Sequence, residues 1–463
     1  MNADYKSTVF LPNTDFPMKA GLPRSEPKLL ENWERDNIYL KQRMASQGRE
    51  RFILHDGPPY ANGHLHIGHA LNKILKDVIS RSQQMLGKDS IYVPGWDCHG
   101  LPIEWKIEEK YRKKGKDKDD VPIVEFRKEC REFAEKWIDI QREEFKRLGI
   151  IGDWENPYTT MTFNAEAQIL RELGKFLMNG SLYKGAKPVM WSPVEKTALA
   201  EAEIEYHDHT STTIYVRFPI LEPSNEIIEG ANIVIWTTTP WTMPGNRAVA
   251  VGAKIDYSVI EVIAVHADSS VQIGDRLIVA TLRIEIFCDE AGIEDFNKLN
   301  TLKGSQLSGS ICKHPLSRVG YDLDVPVLIA EFATTDDGTG IVHIAPGHGT
   351  DDWILGQENE LDIPQTVDEN GCFYAHIPVF ANKHVYKVND EIADVLKECC
   401  NLVAKGTLVH RYPHSWRSKA PLIFRNTSQW FISMSKTDLR GTALQAISNT
   451  KFIPESGRTR LND

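Results

Sequence analysis

Three histidines, His64, His66 and His69, fall close together at the end of the stretch Asp56-Gly57-Pro58-Pro59-Tyr60-Ala61-Asn62-Gly63-His64-Leu65-His66-Ile67-Gly68-His69. Imidazole N–H groups at a helix start can donate hydrogen bonds to phosphate oxygens, and the helix dipole favours the same anion. His66 and His69 lie three residues apart and share a face. Gly68 between them removes a side chain where a flat base could lie against the backbone. Three imidazoles at this spacing are equally potential zinc ligands, although no Cys or carboxylate stands nearby at conventional ligand spacing. The spacing leaves both readings open. The glycine spacings of the dinucleotide fingerprint and of the P-loop are absent, which excludes those two phosphate sites.

The elements around this stretch must position it. Phe52-Ile53-Leu54 reads as an entering strand. The helix that leaves carries Ile67, Leu71, Ile74, Leu75, Val78, Ile79 and Met85 on one face, with Gly87 suited to its C′ position. Ser90 to Val93 reads as the next strand, leading into Pro94-Gly95-Trp96-Asp97-Cys98-His99-Gly100-Leu101-Pro102. Two strands joined by such a helix predict a right-handed βαβ unit and a parallel sheet. Loops at the carboxyl ends of both strands then share one side, which brings Asp97 toward His66 and His69.

Upstream, residues 1 to about 24 read as an extended arm, and Ser25 with Pro27 reads as a helix start. Downstream, Phe126, Cys130, Phe133, Trp137, Phe145 and Leu148 form one core-facing helical stripe. A helix from Asn164 with Ile169, Leu173 and Phe176 forms another. Near residue 205 the texture changes. Thr213 to Phe218, Ile233 to Trp236, Tyr257 to Val265 and Val327 to Ala330 are short, β-branched and separated by turn residues, which predicts an inserted antiparallel β-rich domain. The expected division is an N-terminal arm and helix over 1–45, an α/β domain over 46–204, the insert over 205–400, and a return to the α/β domain over 401–463.

Composition narrows the class. With 463 residues, 41% hydrophobic and 25% charged, the chain has length for two or three cored domains. No apolar run reaches the roughly 20 residues of a membrane span, and Met1 to Lys6 lacks the signal-peptide pattern. The seven cysteines are scattered, which argues for reduced thiols and a cytoplasmic protein. Net charge is −10, so a polyanionic partner would need a local basic patch.

His66-Ile67-Gly68-His69, with the Pro59 to Leu65 stretch before it, resembles the HIGH signature of class I aminoacyl-tRNA synthetases. Asp56-Gly57-Pro58-Pro59 and the run from Pro94 to Glu104 resemble most closely the isoleucyl-tRNA synthetases of bacterial type, and the likeness extends from about Tyr5 to Ile453. The resemblance implies a Rossmann-like catalytic fold, interrupted by the insert. It implies ATP-dependent activation of isoleucine and its transfer to tRNA(Ile), with ATP and Mg2+ as substrate. It places His66, Gly68 and His69 on ATP, with the two histidines catalytic, Pro58 on the isoleucine side chain and Asp97 on the α-ammonium. A turn-capping role is the alternative for Asp97. The family further implies no membrane partner and a monomer at full length.

A hydrophobic site rejects a substrate smaller by one methylene only weakly, a limit for which the isoleucine enzymes are the standard illustration. A second, hydrolytic site is the remedy. Trp236-Thr237-Thr238-Thr239-Pro240-Trp241-Thr242-Met243-Pro244-Gly245-Asn246 and Gly338 to Asp352 resemble the two halves of that editing site. By that likeness Asp352 holds the ammonium of misattached valine, Thr239 bonds near the ester, and His343 lines the side-chain pocket. Without the likeness, Thr237 to Thr239 read as a strand edge and His343 as a core histidine.

Two departures qualify the resemblance. Ser192 and Glu195 stand where many relatives have a C-x-x-C pair, so no structural zinc is expected. The second half of the catalytic fold, with its KMSKS lysine loop, is not found before Asp463, and Ser433-Met434-Ser435-Lys436 reads as a helix start. A stand-alone aminoacyl-tRNA deacylase and a non-catalytic tRNA-binding remnant are therefore the alternative readings.

Overall fold

The computed structural model describes residues 5–10, 14–15 and 20–462. Of the arm expected over 1–24, residues 1–4, 11–13 and 16–19 lie outside the described residues; the described part holds one 3-10 turn at Tyr5–Thr8 and, from Leu22, the start of a helix. The chain divides into two compact units, Met1–Met178 and Asn179–Asp463. That division falls ahead of the expected boundary at 204.

In the first unit α1 (Leu22–Arg35) begins three residues before Ser25, with Pro23 in its first turn, where a missing N–H costs nothing. α2 (Ile38–Ala45) follows and leads to β1 (Arg51–Ile53). The stretch 54–66 connects β1 to α3 (Ile67–Met85), whose Gly87 takes the expected positive φ. β2 (Asp89–Ile91) pairs with β1 in parallel, Phe52 opposite Ser90, as the βαβ pattern requires. β3 (Gly95–Trp96), α4 (Leu101–Arg112), α5 (Ile123–Arg147), β4 (Tyr158–Thr159) and α6 (Phe163–Met178) complete the unit. Its core gathers Trp96, Ile103, Ile138, Phe145 and Trp154, with Phe133 and Trp137 packed at the margin.

Two helices depart from their patterns. α6 buries none of its residues; Ile169 and Leu173 are exposed, against the core-facing expectation. α3 presents Ile67, Leu71, Ile74, Leu75, Val78, Ile79 and Met85 outward and buries Lys73 and Ser80 instead. Periodicity marks an apolar face; it does not say what covers that face. In α3 the inward charge is explained by a partner, described below.

The second unit opens with β5 (Leu182–Ser192), β6 (Thr197–Ala198) and the long β7 (Ile204–Glu222). β8 (Asn232–Thr237) runs into a 3-10 turn at Pro240–Gly245, followed by β9 (Ala248–Val251), β10 (Asp256–Val265) and β11 (Arg276–Ala280). Then come α7 (Ile284–Ala291), β12 (Ile293–Lys303), the single turn α8 (Gly304–Leu307), β13 (Ile311–Lys313), β14 (Asp324–Ile329) and β15 (Ile341–Ile344). The unit ends with α9 (Thr350–Glu358), α10 (Asn389–Glu398), β16 (Leu402–Ser415), β17 (Ile423–Ile432), α11 (Leu439–Asn449) and α12 (Gly457–Asn462).

The predicted β-rich region is one ten-stranded sheet in the order β12-β10-β11-β8-β7-β13-β14-β9-β15, with β16 also on β7. Most pairs are antiparallel; β11 on β8 and β14 on β9 are parallel. β16 follows β7 from Ile204 to Val216, so the sheet runs on past the expected limit at 400. The inner faces of Val216, Phe218, Ile233, Ile235, Val249 and Val327 form its core, closed by Ile392 and Leu396 of α10. β5, β6 and β17 form a separate three-stranded sheet.

Candidate functional site

In the first unit the histidine stretch is built as a helix cap. His66 is the N-cap of α3, and its Nδ1 accepts a hydrogen bond from Gly68 N at 3.1 Å. His69 Nδ1 accepts from His66 N at 3.4 Å, and the two rings stack with centroids 3.8 Å apart. Imidazoles therefore do the work usually done by Ser or Thr at the cap and Glu at the third position. A neutral imidazole whose Nδ1 accepts must carry its proton on Nε2. Burial, the neighbouring His66 and Lys73 all lower the pKa of His69, which favours that neutral form. Both residues thus present Nε2–H donors at the positive end of a helix. Gly68 leaves room for a ring, but the ring beside it is His66's own: a Cβ there would lie 2.9 Å from His66 Cε1.

His64 turns away from this pair. Its Nδ1 bonds to a carboxylate oxygen of Glu144 on α5, whose other oxygen accepts from Leu65 N at 3.0 Å. Among the described residues no group of three His, Cys, Asp or Glu side chains is placed to hold a metal ion.

The neighbouring loop is joined on through the backbone. Asp97 N donates to Pro59 O at 2.8 Å, and Ala61 N donates to Asp97 O at 3.0 Å. Pro58 packs against Gly95, where a Cβ would come within 3.4 Å of it. The Asp97 carboxylate accepts from His99 N at 3.3 Å and Thr160 Oγ1 at 3.4 Å. These are the bonds of a turn-capping Asp, and they leave its second oxygen available to a cation.

Asp56 holds both loops to α3. It is buried, pairs with Lys73 and Lys76, accepts from Tyr92 OH at 3.0 Å, and accepts from Gly95 N at 3.2 Å. Burial alone would raise its pKa, but the two ammonium groups outweigh it and hold the carboxyl below the usual range. Buried Gln141 on α5 adds a second tie, donating to Tyr60 O at 3.0 Å and Gly63 O at 2.7 Å and accepting from Trp96 Nε1 at 2.9 Å. The sequence reading missed Asp56, Lys73 and Gln141 as partners. Its available signal was a lysine and a glutamine facing inward on otherwise patterned helices.

In the second unit a polar relay crosses the sheet. Asn246 Nδ2 lies 2.7 Å from His343 Nδ1, and His343 Nε2 lies 2.8 Å from Thr242 Oγ1. The Thr242 hydroxyl in turn donates to Thr239 O at 2.8 Å. Thr239 begins the 3-10 turn, and its N–H donates to Thr237 Oγ1 at 3.1 Å. Burial depresses the pKa of His343 to about 3, so it is neutral with its proton on Nε2. His343 is thus a satisfied, buried histidine that fixes the Thr239 turn. Asn246 and Thr242, both within the first editing motif but given no role from the sequence, complete its bonds.

Asp352 lies in the first turn of α9 and accepts from Ala345 N at 2.7 Å. Burial raises its pKa to about 6. A half-buried carboxylate so poised gains from any cation that enters. His348 pins the connecting loop, its Nδ1 donating to Phe424 O at 2.9 Å and its Nε2 accepting from Thr366 Oγ1 at 2.6 Å. A Cβ at Gly245 would lie 3.0 Å from His348, so the Thr239 turn and the Asp352 loop are adjacent.

Where a cysteine pair was weighed, oxygen atoms meet instead. Glu195 Oε1 accepts from Ser415 Oγ and from Ser418 N at 3.1 Å, while Glu195 N donates to Ser192 Oγ at 3.2 Å. Ser433 to Lys436 is a turn ahead of α11, where Lys436 Nζ donates to Gly180 O at 2.7 Å.

The imidazole cap, the mixed α/β architecture and the large inserted sheet define a class. The chain belongs to the class I tRNA synthetases (I, L, M and V), whose sequence profile matches residues 28–463. Within that class its relatives are isoleucine--tRNA ligases. It is 53% identical to the one from Gluconobacter oxydans (strain 621H), over 99% of this chain and 49% of that protein. The Pelagibacter ubique (strain HTCC1062) protein is 53% identical over 98% and 50%, and that of Agrobacterium fabrum (strain C58) 50% identical over 99% and 50%. The chain spans about half the length of the curated relatives it matches. Among the described residues no helix is long and apolar enough to cross a membrane.

Proposed function

We propose that this chain contributes to an isoleucine–tRNA ligase the ATP-binding half of the activation site and the whole of a hydrolytic editing domain. The observation that carries the reading is the stacked His66–His69 cap, with both Nε2–H donors free of backbone bonds at a helix N-terminus. In activation the isoleucine carboxylate attacks the α-phosphate of ATP and pyrophosphate leaves. Charge grows on the phosphate oxygens, and preorganised donors placed there lower the barrier. His66 and His69 supply those donors, Gly68 makes room for the His66 ring in its capping position, and Pro58 and Asp97 receive the amino acid's side chain and ammonium. ATP enters with Mg2+ as substrate. The site is cytoplasmic and its polymer partner is tRNA(Ile).

The editing domain spans the ten-stranded sheet. Asp352 takes the ammonium of a valyl ester, the Thr239 turn stands beside the ester, and His343 holds that turn while limiting side-chain volume. Two assays on the chain test the reading: pyrophosphate exchange with isoleucine, and hydrolysis of Val-tRNA(Ile). Hydrolysis without exchange favours a stand-alone deacylase, for which the self-contained relay within the second unit is the supporting observation. Binding of tRNA with neither activity favours a binding remnant.

A further inference from the structure

We propose that the two-stranded ribbon of β5 and β17 is the track for the single-stranded 3′ end of the RNA substrate. The two strands pair over their whole length, from Leu182 opposite Ile432 to Trp191 opposite Ile423. Neither strand contains an Asp or Glu, yet they carry Lys187 and Arg425 on one face, with Lys184 on the other, in a chain of net charge −10. This is the local basic patch that a polyanion needs against an unfavourable global field.

Strand alternation puts Trp191, Arg425, Lys187, Gln429, Phe431 and Tyr183 on one face. The Arg425 guanidinium sits 4.8 Å from the Trp191 ring centroid, Lys187 Nζ sits 5.2 Å from both Phe431 and Trp353, and Tyr183 stacks on Phe431 at 5.6 Å. Rings and cations in alternation along a strand pair are how single-stranded nucleic acid is held without base readout, bases on the rings and phosphates on the cations. Beside the Arg425 end lies a cavity of about 540 Å³ lined by Gln365, Thr427, Ser428 and Gln429, together with the carboxylate residue Glu369. Its amides and hydroxyls suit a nucleobase edge or a ribose.

The ribbon also leads somewhere. Trp353, under Lys187, is the residue after Asp352 on α9, and Phe424 of β17 accepts the His348 bond that pins the Asp352 loop. A 3′ end lying along this face is delivered to the editing residues.

The inference rests on the tRNA reading above, and its test separates the two. Fluorescence anisotropy of a labelled RNA hairpin with a single-stranded 3′ overhang is compared with the same hairpin blunt-ended, for the unmodified chain, Lys187→Gln and Tyr183→Ala. The overhang hairpin should bind about tenfold more tightly than the blunt one, the preference of one or two stacked bases. Lys187→Gln should reduce the salt slope by about 0.7, and Tyr183→Ala should weaken overhang binding about fivefold or more, with blunt binding unmoved. Equal affinity for the two hairpins, or unchanged binding in both variants, overturns the proposal. Hydrolysis of 3′-valyl-adenosine, too small to use the ribbon, reports the editing reading alone: its presence without an overhang preference overturns only the ribbon, and its absence alongside an overhang preference overturns only the editing reading.

Discussion

Nε2 of His343 lies 2.8 Å from the hydroxyl of Thr242, a residue 101 positions earlier in the chain. The contact joins the two sequence motifs of the insert through one buried hydrogen bond, and its other nitrogen is already committed to Asn246. His343 therefore acts on the Thr239 turn through Thr242, and its one ring proton, on Nε2, cannot leave without breaking the relay.

Replacing Thr242 by Val keeps the shape and removes the acceptor. The buried imidazole N–H is left without a partner, a cost of about 1–3 kcal/mol. Denaturant unfolding should show that loss, and hydrolysis of Val-tRNA(Ile) should fall at least about tenfold because the Thr239 turn loses its anchor. Full hydrolysis at reduced stability would separate the relay from the chemistry.

With Asp352 in the proposed ammonium role, its raised pKa, about 6, should give hydrolysis a pH dependence. Only the ionised carboxylate holds an ammonium, so the rate should fall as pH drops through about 6. Asp352→Asn should give a low, flat profile across the same window. A profile for the unmodified chain with no break near 6 removes Asp352 from the ammonium role.

Stability should follow the buried His343 in the same sense, falling as pH drops. His343, held neutral at about 3 against the ordinary 6.5, stabilises the fold above pH 6.5, and that contribution is lost as pH falls. Asp352 works against this, since its raised pKa favours the fold at low pH and loses that contribution as pH rises through about 6. Unfolding curves between pH 7 and pH 4, at constant salt, should show net destabilisation in the unmodified chain and a flatter slope in His343→Gln.

Asp56 is the buried carboxylate that partners the inward-facing Lys73 of the first unit. Its removal as Asp56→Ala leaves the Lys73 ammonium buried without a counter-charge, which breaks a buried pair at a cost of about 3–5 kcal/mol. Tyr92→Phe removes one neutral donor and should cost about 1 kcal/mol. Equal losses in the two variants would show that the charge pair is not the organising contact.

Gly68→Ala tests the cap. The new Cβ would come within 2.9 Å of the His66 ring and push the imidazole out of its capping position. The helix should lose about 0.5–2 kcal/mol, and ATP binding measured by calorimetry should weaken together with it. Unchanged ATP affinity would mean that the stacked pair is a structural cap only.

The sequence by itself determined the order of parts: the strand, turn and helix around His66 and His69, the parallel return through Ser90, and the change to β-branched strands near residue 205. These follow from local periodicity and turn chemistry, which act within a few residues. Thr239, His343 and Asp352 stood out in the sequence because the motifs that carry them resemble a family. The tertiary structure decided what each one touches. It showed that α3 turns Lys73 inward, because Asp56 offers a buried counter-charge seventeen residues earlier that outweighs the apolar stripe. It joined His343 to Asn246 and Thr242 across about a hundred residues, and it met Glu195 with Ser415 across 220. Pairings of that separation depend on sheet register and burial, and no local pattern carries them.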